Sequence, residues 1–250
     1  MKKFILGLCG PSGSGKEFFF EELKKRGYLV ERTISCTTRQ KNSNEIDGTH
    51  YYFKTNEEFD RMRERGEFLE YGCWGDRCYG TLKSEFERIK LGGNIPVIEI
   101  GHIGIQNIQN LIKDTIFEIY PIGILPGELS YDKIHTSHPE MQVSFNIESG
   151  MPEIPNETDR NILIREYQEL LRKRLEARSR DTPEQIEQRI IESREILEFF
   201  LSGEAQNKGF KMVSNTIGSG IDPIKELLIR VKFLSEYKNT ANHEFKMGRF

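Results

Sequence analysis

The residues with the clearest chemical purpose form a glycine-rich segment near the amino terminus, where Gly10 to Lys16 reads GPSGSGK. Glycines let the backbone curl until successive N–H groups point inward, and the lysine adds a full positive charge. A glycine, four residues and Gly-Lys are the spacing of the P-loop that binds nucleoside triphosphates. The sequence therefore predicts that ATP phosphates are bound by Gly10, Pro11, Ser12, Gly13, Ser14, Gly15, Lys16 and Glu17.

Glu17 departs from the P-loop pattern. A serine or threonine normally follows the lysine, and its hydroxyl binds Mg²⁺. A carboxylate is also a hard oxygen ligand, so Glu17 could bind the metal directly or through water. It also brings a negative charge close to the expected β- and γ-phosphates.

A strand and a helix must flank the loop if it is to bind phosphate. Lys3–Cys9 has the length and apolar composition of a buried strand, and residues 17–26 have the spacing of a helix that Gly27 ends. A glycine-rich turn without a ligand is the weaker interpretation, because strand, loop and lysine agree. Further buried strands at 95–100 and 116–125 alternate with helices, which predicts a parallel sheet with crossover connections.

Local signals divide the segment after the first helix. Thr55 and Glu58 have the spacing of a capping box at the start of a short helix. Residues 68–71 are strand-like, and 72–80 are predicted to form a loop before a helix at 81–91 that two glycines end.

The second half is predicted to be mainly helical. Residues 126–155 lack periodicity and are interpreted as a long surface loop. Residues 157–178 and 181–201 are predicted to be helices, the second with a cap residue followed by proline. A short strand at 210–213 and a helix at 222–237 follow.

Composition limits the class of protein. The 250 residues suffice for one α/β domain, and the net charge of −3 argues against a general nucleic-acid binder. No apolar run reaches membrane-spanning length, and the chain starts in a core strand, so we expect neither a membrane segment nor a signal peptide. The four cysteines form no CxxC pair. We expect reduced thiols in a cytoplasmic protein, a monomer or homodimer, that binds small molecules.

Three further motifs resemble those of the guanylate kinase family. SCTTR at 35–39 and EIDGTHYYF at 45–53 are similar to S-x-T-T-R and G-E-x-x-G-x-x-Y-x-F. FLEY at 68–71 with YGT at 79–81 is similar to F-[IL]-E and Y-Y-G-[ST]. RLEARSRDTPEQIEQR at 174–189 is similar to the lid motif R-L-x-x-R-x-x-x-T-x-E-x-[IL]-x-x-R. Together with the P-loop they stand in the family's order.

The resemblance implies an α/β fold of the P-loop NTPase type, with three layers and a parallel central sheet. A small mixed β lobe would bind a nucleoside monophosphate, and a helical lid would close over ATP. The expected single domain comprises a core (1–34, 82–125 and 205–237), the monophosphate lobe (35–81), an insertion (126–156), the lid (172–192) and a tail (238–250). The implied activity transfers the γ-phosphoryl group of ATP, bound with Mg²⁺, to GMP or dGMP.

The resemblance also implies which residues bind the acceptor. Arg39, Tyr51 and Tyr79 would hold its dianionic phosphate by charge-assisted and hydroxyl hydrogen bonds. The Glu70 carboxylate would accept from guanine N1–H and N2–H, a pair of donors that adenine lacks. The full acceptor set is Ser35, Arg39, Tyr51, Glu70, Tyr79, Gly80 and Thr81.

Catalysis would depend on cations, since phosphoryl transfer needs charge neutralisation more than covalent chemistry. The resemblance assigns this role to Lys16, Arg39, Arg174, Arg178 and Arg189. The alternative for the last three is a solvated charged helix face, which is common in segments rich in arginine and glutamate.

Four positions depart from the family pattern. Asn42 stands where a second phosphate-binding arginine is usual, with Lys41 beside it. Glu99 and Gly101 replace the two acids of a D-x-D motif, and Glu17 replaces the P-loop hydroxyl. We hypothesise that Glu17 and Glu99 together rebuild a magnesium site. Two alternatives stay open: a P-loop kinase for another nucleotide or a phosphorylated sugar, and a catalytically impaired guanylate-kinase-like binding module.

Overall fold

The computed structural model describes residues 3–113, 117–127, 134, 136–141, 144–145 and 152–215. The predicted helix at 222–237 and the tail lie outside these ranges. The elements in chain order are β1 (Lys3–Cys9), α1 (Lys16–Lys25), β2 (Val30–Arg32), β3 (Ser35–Thr37), β4 (Tyr52–Phe53), α2 (Asn56–Glu64), β5 (Phe68–Trp74), β6 (Arg77–Leu82), α3 (Lys83–Leu91), β7 (Ile95–Glu99), α4 (His102–Ile112), β8 (Phe117–Pro126), β9 (Ser144–Phe145), β10 (Pro152–Glu153), α5 (Glu157–Ala177), α6 (Pro183–Leu201), α7 (Glu204–Asn207) and β11 (Lys211–Asn215).

Five strands form the main sheet, in the order β11-β8-β1-β7-β2. β2 pairs parallel with β7, where Val30 lies opposite Ile95. β11 pairs parallel with β8, where Lys211 lies opposite Ile122. The apolar runs form these strands because a parallel sheet covered by helices buries both faces. The predicted α/β fold with a parallel central sheet is confirmed.

The chain divides into two compact units. Unit 1 comprises Met1–Gly7 and Leu29–Tyr120, and unit 2 comprises Leu8–Tyr28 and Pro121–Phe250.

Unit 1 contains a second, four-stranded mixed sheet in the order β4-β3-β6-β5. β3 runs parallel to β4 and antiparallel to β6, and β5 runs antiparallel to β6. The predicted loop at 72–80 is wrong, because these residues form most of the β5–β6 hairpin. Gly75 makes the tight turn with a φ of 62°, a conformation that glycine adopts without steric cost.

The helices of unit 1 differ in how their ends are stabilised. The predicted capping box of α2 is confirmed, with Thr55 and Glu58 bonded reciprocally. α3 begins at Lys83 and not at Thr81, because Thr81 belongs to the β6 ladder. α4 begins at His102, and its N-cap residue Gly101 provides no side-chain cap. Its first turn holds no acid, and its last turn holds no base. It buries a row of isoleucines at 105, 108 and 112.

Unit 2 contains the long helices α5 and α6, which pack against each other. Gln168 Nε2 donates to the Ile190 carbonyl at 2.8 Å. A turn with Ser179 at a φ of 51° joins them. The predicted start of α6 is confirmed, with Thr182 as cap and Pro183 in the first turn. No helix in the described ranges combines the length and apolar character needed to cross a membrane.

The described part of the predicted surface loop at 126–155 contains regular structure. β9 and β10 pair antiparallel, with Phe145 opposite Pro152. His138 Nε2 lies 3.0 Å from Glu166 Oε1 of α5, and Ile134 is buried. This segment therefore contacts α5 within unit 2 and is not wholly irregular.

The expectation of reduced thiols is wrong for one pair of cysteines. Cys73 and Cys78 lie directly opposite each other in the β5–β6 register and form a disulfide, with their Cα atoms 4.0 Å apart. Sequence spacing did not predict this pairing, because the hairpin was interpreted as a loop. Cys9 and Cys36 are free and buried.

A small aromatic cluster stabilises the mixed sheet of unit 1, and its loss can be measured. Phe59 is 1% exposed and its ring stacks on Phe68 with centroids 4.4 Å apart. We expect Phe59→Ala to lower the free energy of unfolding by about 3–5 kcal/mol, because it removes buried area and leaves a cavity. Ile46→Ala, at a side chain that is 61% exposed, serves as the control in urea denaturation. Equal losses for both variants would contradict this account of the core.

Candidate functional site

The glycine-rich loop in unit 2 has the backbone of a phosphate cradle. Gly13 and Gly15 have φ values of 87° and 99°, and α1 begins immediately after Gly15. A Cβ atom at Gly10 would lie 2.5 Å from the Ile124 carbonyl oxygen, so the loop approaches β8 more closely than any side chain permits. The predicted sequence of strand, glycine turn and helix N-terminus is thus present, and that N-terminus attracts anions.

Lys16 folds back over this loop. Its Nζ donates to the carbonyl oxygens of Gly10 at 2.8 Å and Pro11 at 3.0 Å. Both acceptors are neutral, so a phosphate oxygen would offer the ammonium a stronger, charge-assisted partner. Glu17 is exposed in the first turn of α1.

Two of the predicted lid arginines contact the same loop. Arg174 Nη1 donates to the Gly13 carbonyl oxygen and its Nη2 to the Gly127 carbonyl oxygen, both at 3.3 Å. Arg189 Nη1 donates to Ser12 Oγ at 2.9 Å, and its Nη2 bonds Asp181 at 3.1 Å. Unit 2 therefore brings together Lys16, Ser12, Gly13, Arg174 and Arg189.

Helix packing explains the position of Arg174. The atoms nearest to a Cβ built on Gly13 are side-chain carbons of Leu171 and Leu175, at 3.4 and 3.6 Å. α5 therefore packs on the tip of the loop, and Arg174 extends from the same helix. Arg178, by contrast, is the exposed C-cap residue of α5.

In unit 1, strand register aligns the residues predicted to bind a base. Ser35 of β3 lies opposite Thr81 of β6, and Thr81 lies opposite Glu70 of β5. Directly opposed residues point to the same face of a sheet, so the three side chains form one row. Tyr79 precedes Thr81 by two residues in β6, so its side chain lies on that same face. Gly80, between them, faces the Phe68 ring, where a Cβ would lie 2.8 Å from Cδ1.

The buried Glu70 carboxylate has capacity for further hydrogen bonds. Its Oε1 accepts from the Thr81 hydroxyl at 2.7 Å. Burial raises the pKa of Glu70, and the hydrogen bonds from the Thr81 hydroxyl and N–H only partly offset this. A ligand that donates to the remaining lone pairs would favour the ionised form.

Arg39, Tyr51 and Tyr79 form the second group of the acceptor set. The rings of Tyr51 and Tyr79 meet edge to face with centroids 6.1 Å apart. The Arg39 guanidinium carbon lies 5.4 Å from the Tyr51 ring centre and 5.6 Å from that of Phe53. Cation and hydroxyl groups therefore gather on one side of the lobe, as binding of an anion requires.

Glu45 is a member of this group that sequence reasoning missed. Its carboxylate binds the Arg39 fork, with Nη2 at 2.6 Å and Nη1 at 3.0 Å, and accepts from the Asn42 N–H at 2.8 Å. The hydrogen bonds from Arg39 are the main cause of the lowered pKa of Glu45. The only signal for it was its place in the quoted motif. Asn42 is exposed, and Lys41 Nζ donates to the Glu45 carbonyl oxygen at 2.9 Å.

The two carboxylates of the hypothesised magnesium site have different surroundings. Glu99 Oε1 forms an ion pair with Arg32 Nε at 2.9 Å, so that carboxylate is already neutralised. Glu17 and Glu99 belong to different units. Within the described ranges, no three acidic, histidine or cysteine side chains cluster as a metal site would require. Glu17, in the first turn of α1, has the hard oxygen donors that suit Mg²⁺.

Gly101 lies at the end of β7, where the family pattern has an acid. A Cβ built there meets no described atom within 4 Å, so the position has open space. Its extended backbone, with φ −65° and ψ 162°, would accept any residue.

Comparison with known proteins agrees with these features. Residues 1–124 match the model of the family described as guanylate kinase. A guanylate kinase of Mesomycoplasma hyopneumoniae is 39% identical over 132 residues, which are 52% of this chain and 66% of that protein. One from Thermotoga maritima is 40% identical over 117 residues, 47% of this chain and 56% of that protein. The chain thus spans under two thirds of the length of these relatives.

A solved structure extends the likeness in fold. The crystal structure of guanylate kinase from Anaplasma phagocytophilum superposes with a TM-score of 0.51 at 18% identity, covering 95% of this chain and 87% of that one. At this identity the match concerns the fold alone. Family assignment therefore depends on the amino-terminal matches, and through residues 1–124 the chain belongs to the guanylate kinase family.

Proposed function

We propose that this protein transfers the γ-phosphoryl group of ATP to GMP or dGMP, giving GDP or dGDP and ADP. The observation that carries the proposal is the row of Ser35, Thr81 and Glu70 across three strands. Membership of the family supports a nucleoside monophosphate kinase. The choice of guanine depends on Glu70.

Guanine offers two adjacent donors, N1–H and N2–H, and an ionised carboxylate accepts both. The Thr81 hydroxyl holds Glu70 Oε1 from one side, so its remaining lone pairs are available to the base. A base without this donor pair would leave a desolvated carboxylate unpaired, which costs binding free energy. Ser35 adds a hydroxyl at the end of the same row.

The acceptor phosphate would bind Arg39, Tyr51 and Tyr79. Hydrogen bonds to Gln40 and Glu45 engage three of the five N–H donors of Arg39 in the described part of the chain. The guanidinium can therefore bind a phosphate oxygen while Glu45 continues to orient it.

ATP would bind through the unit 2 residues. Its phosphate oxygens would replace the carbonyl acceptors of Lys16 and Arg174 and the Ser12 hydroxyl that Arg189 binds. Arg178 would close from the end of α5. When bound, Mg²⁺ would supply positive charge to the triphosphate, and Glu17, an oxygen donor in the first turn of α1, would hold it. An acceptor phosphate oxygen then attacks the γ-phosphorus in line, and the bond to the leaving ADP oxygen breaks. The cations neutralise the moving charge, and no enzyme-bound intermediate is needed.

The second candidate is a kinase for another acceptor, such as a different nucleotide or a phosphorylated sugar. The open space at Gly101 is the observation that favours it, because the acid that would help to select guanine is absent and the space could take a different acceptor.

A substrate panel tests the reaction directly. We expect ADP release from ATP and Mg²⁺ with GMP and dGMP, and none above the no-acceptor control with AMP, CMP, UMP or dTMP. Activity confined to another acceptor would replace the proposed substrate. Absence of ADP release from a folded sample that binds ATP would refute the kinase assignment and favour a binding module.

Substitution of Glu70 tests the base-reading role. We expect Glu70→Gln to lower kcat/KM for GMP about 100-fold, because the amide cannot accept both guanine donors. The KM for ATP should stay within about twofold of wild type, since a lost hydrogen bond to the acceptor leaves ATP contacts intact. Glu64→Gln, at an exposed acid of α2, is the matched control. Unchanged selectivity in Glu70→Gln would exclude Glu70 as the base reader.

Gly101→Asp tests whether the missing acid weakens guanine binding. The open space allows the side chain, and the resemblance implies that an acid here binds guanine. We expect the KM for GMP to fall about tenfold, the gain of one charge-assisted hydrogen bond. Gly101→Asn keeps the shape of the side chain without its charge. It should therefore lower the KM for GMP by less than about threefold. Steady-state kinetics of both variants measures the difference, and an equal or higher KM in Gly101→Asp would contradict it.

A further inference from the structure

Glu85 is a buried acid of α3 that the nucleotide-binding residues do not include. It is 2% exposed. Its Oε1 accepts hydrogen bonds from the Tyr52 hydroxyl at 2.8 Å and Arg88 Nε at 3.1 Å. Its Oε2 accepts from the Ile34 N–H at 2.9 Å and Arg88 Nη2 at 3.0 Å. Two side chains and one backbone amide therefore converge on a single carboxylate.

These donors keep Glu85 ionised. Burial alone would raise the pKa of Glu85, but the hydrogen bonds from Arg88, Ile34 and Tyr52 outweigh it, and the pKa is lowered. Burial, together with the bond to Glu85, raises the pKa of Tyr52 to about 12. The Tyr52 hydroxyl therefore keeps its proton and donates to a charged acceptor, which makes the hydrogen bond strong.

The network continues beyond Glu85. Arg88 also pairs with Glu31 of β2, and Asn94 Nδ2 donates to Glu31 at 2.7 Å. All of these residues lie in unit 1. The cluster thus joins β2, the residue before β3, β4, α3 and the segment before β7.

An apolar residue at position 85 would give a simpler core. α3 already buries Phe86 and Ile89, and replacing a buried ion pair by apolar side chains of similar volume is often neutral or stabilising. What the carboxylate adds is direction, since each hydrogen bond fixes a distance and an angle that apolar packing leaves adjustable.

The segments fixed by Glu85 are those that carry the proposed acceptor-binding residues. Ile34 directly precedes Ser35, and Tyr52 directly follows Tyr51. Glu85 itself follows Thr81 by four residues, where β6 continues into α3. One carboxylate therefore controls three chain segments that would bind base and phosphate.

We infer that Glu85 is a positioning residue for the nucleoside monophosphate. Its carboxylate holds Ser35, Tyr51 and Thr81 at the separations that a base and its phosphate require, without touching the ligand. This inference rests on the proposed function, because it takes the lobe to be the acceptor site.

Titration calorimetry with GMP compares Glu85→Gln with wild type. We expect the Kd for GMP to rise about tenfold or more, because the amide loses one strong acceptor and turns a donor toward Arg88. The Kd for a non-hydrolysable ATP analogue should be unchanged. Glu87→Gln, at an exposed acid of the same helix, should bind both ligands as wild type does. An unchanged Kd for GMP in Glu85→Gln would overturn the inference.

Tyr52→Phe keeps the test decisive if Glu85→Gln fails to fold. It deletes one hydroxyl and leaves the ring packed against the Phe59 cluster. We expect a smaller, about threefold, rise in the Kd for GMP, again with ATP binding unaffected. Where Glu85→Gln folds, the two effects should be less than additive in the double variant, because both substitutions weaken the same hydrogen bond between Tyr52 and Glu85. Full additivity, or equal weakening of both ligands, would indicate a merely structural role. Failure of wild type to bind GMP would instead refute the proposed function.

Discussion

The mixed sheet of unit 1 depends on a close approach of the Gly80 backbone to the Phe68 ring. A side chain at Gly80 would place its Cβ 2.8 Å from the Phe68 ring and 3.1 Å from the Glu70 carbonyl oxygen, so β5 and β6 meet in this register only if that position is glycine. The register in turn sets Thr81 between Ser35 and Glu70. Packing in the small core of unit 1 therefore determines which polar groups face a ligand.

The two groups of cations differ in what they bind without a nucleotide. Lys16 and Arg174 donate to carbonyl oxygens of their own unit, which carry no net charge. Arg39 instead holds a full carboxylate, that of Glu45. A phosphate that binds Arg39 would therefore share the cation with a resident anion. Lys41, whose ammonium donates to the Glu45 carbonyl oxygen, is a second cation beside Arg39.

The sequence predicted those features that local residue types determine. The glycine-rich loop, the capping residues Thr55 and Thr182 and the buried apolar strands all depend on neighbours in the chain, and each was located correctly. The β5–β6 hairpin was missed because its strands hold glycine, cysteine and charged residues, and their pairing depends on contacts across the sheet. The pairing of Cys73 with Cys78 follows from that register and was missed with it.

Side-chain networks were the least predictable part. Glu45 and Glu85 are ordinary acids in sequence, one in a polar loop and one in a charged helix. Their roles depend on burial and on donors up to 51 positions away, as with the Ile34 amide and Glu85. A single sequence does not show which residues that are far apart in the chain become neighbours in the fold. The acids that replace family residues, Glu17 and Glu99, were by contrast conspicuous from the motif alone, although Glu99 pairs with Arg32.

The lack of a side-chain cap on α4 has a consequence for the order of folding. Short helices are marginal in water, and capping side chains and charges that complement the helix dipole are what help them form alone. α2 has both, whereas α4 has no capping side chain and no acid in its first turn, and Lys113 at its C-cap is the cation that complements its dipole. α4 therefore gains its stability from burying its isoleucines. Helix formation there should accompany collapse of the hydrophobic core, while α2 can fluctuate into helical structure before any tertiary contact exists.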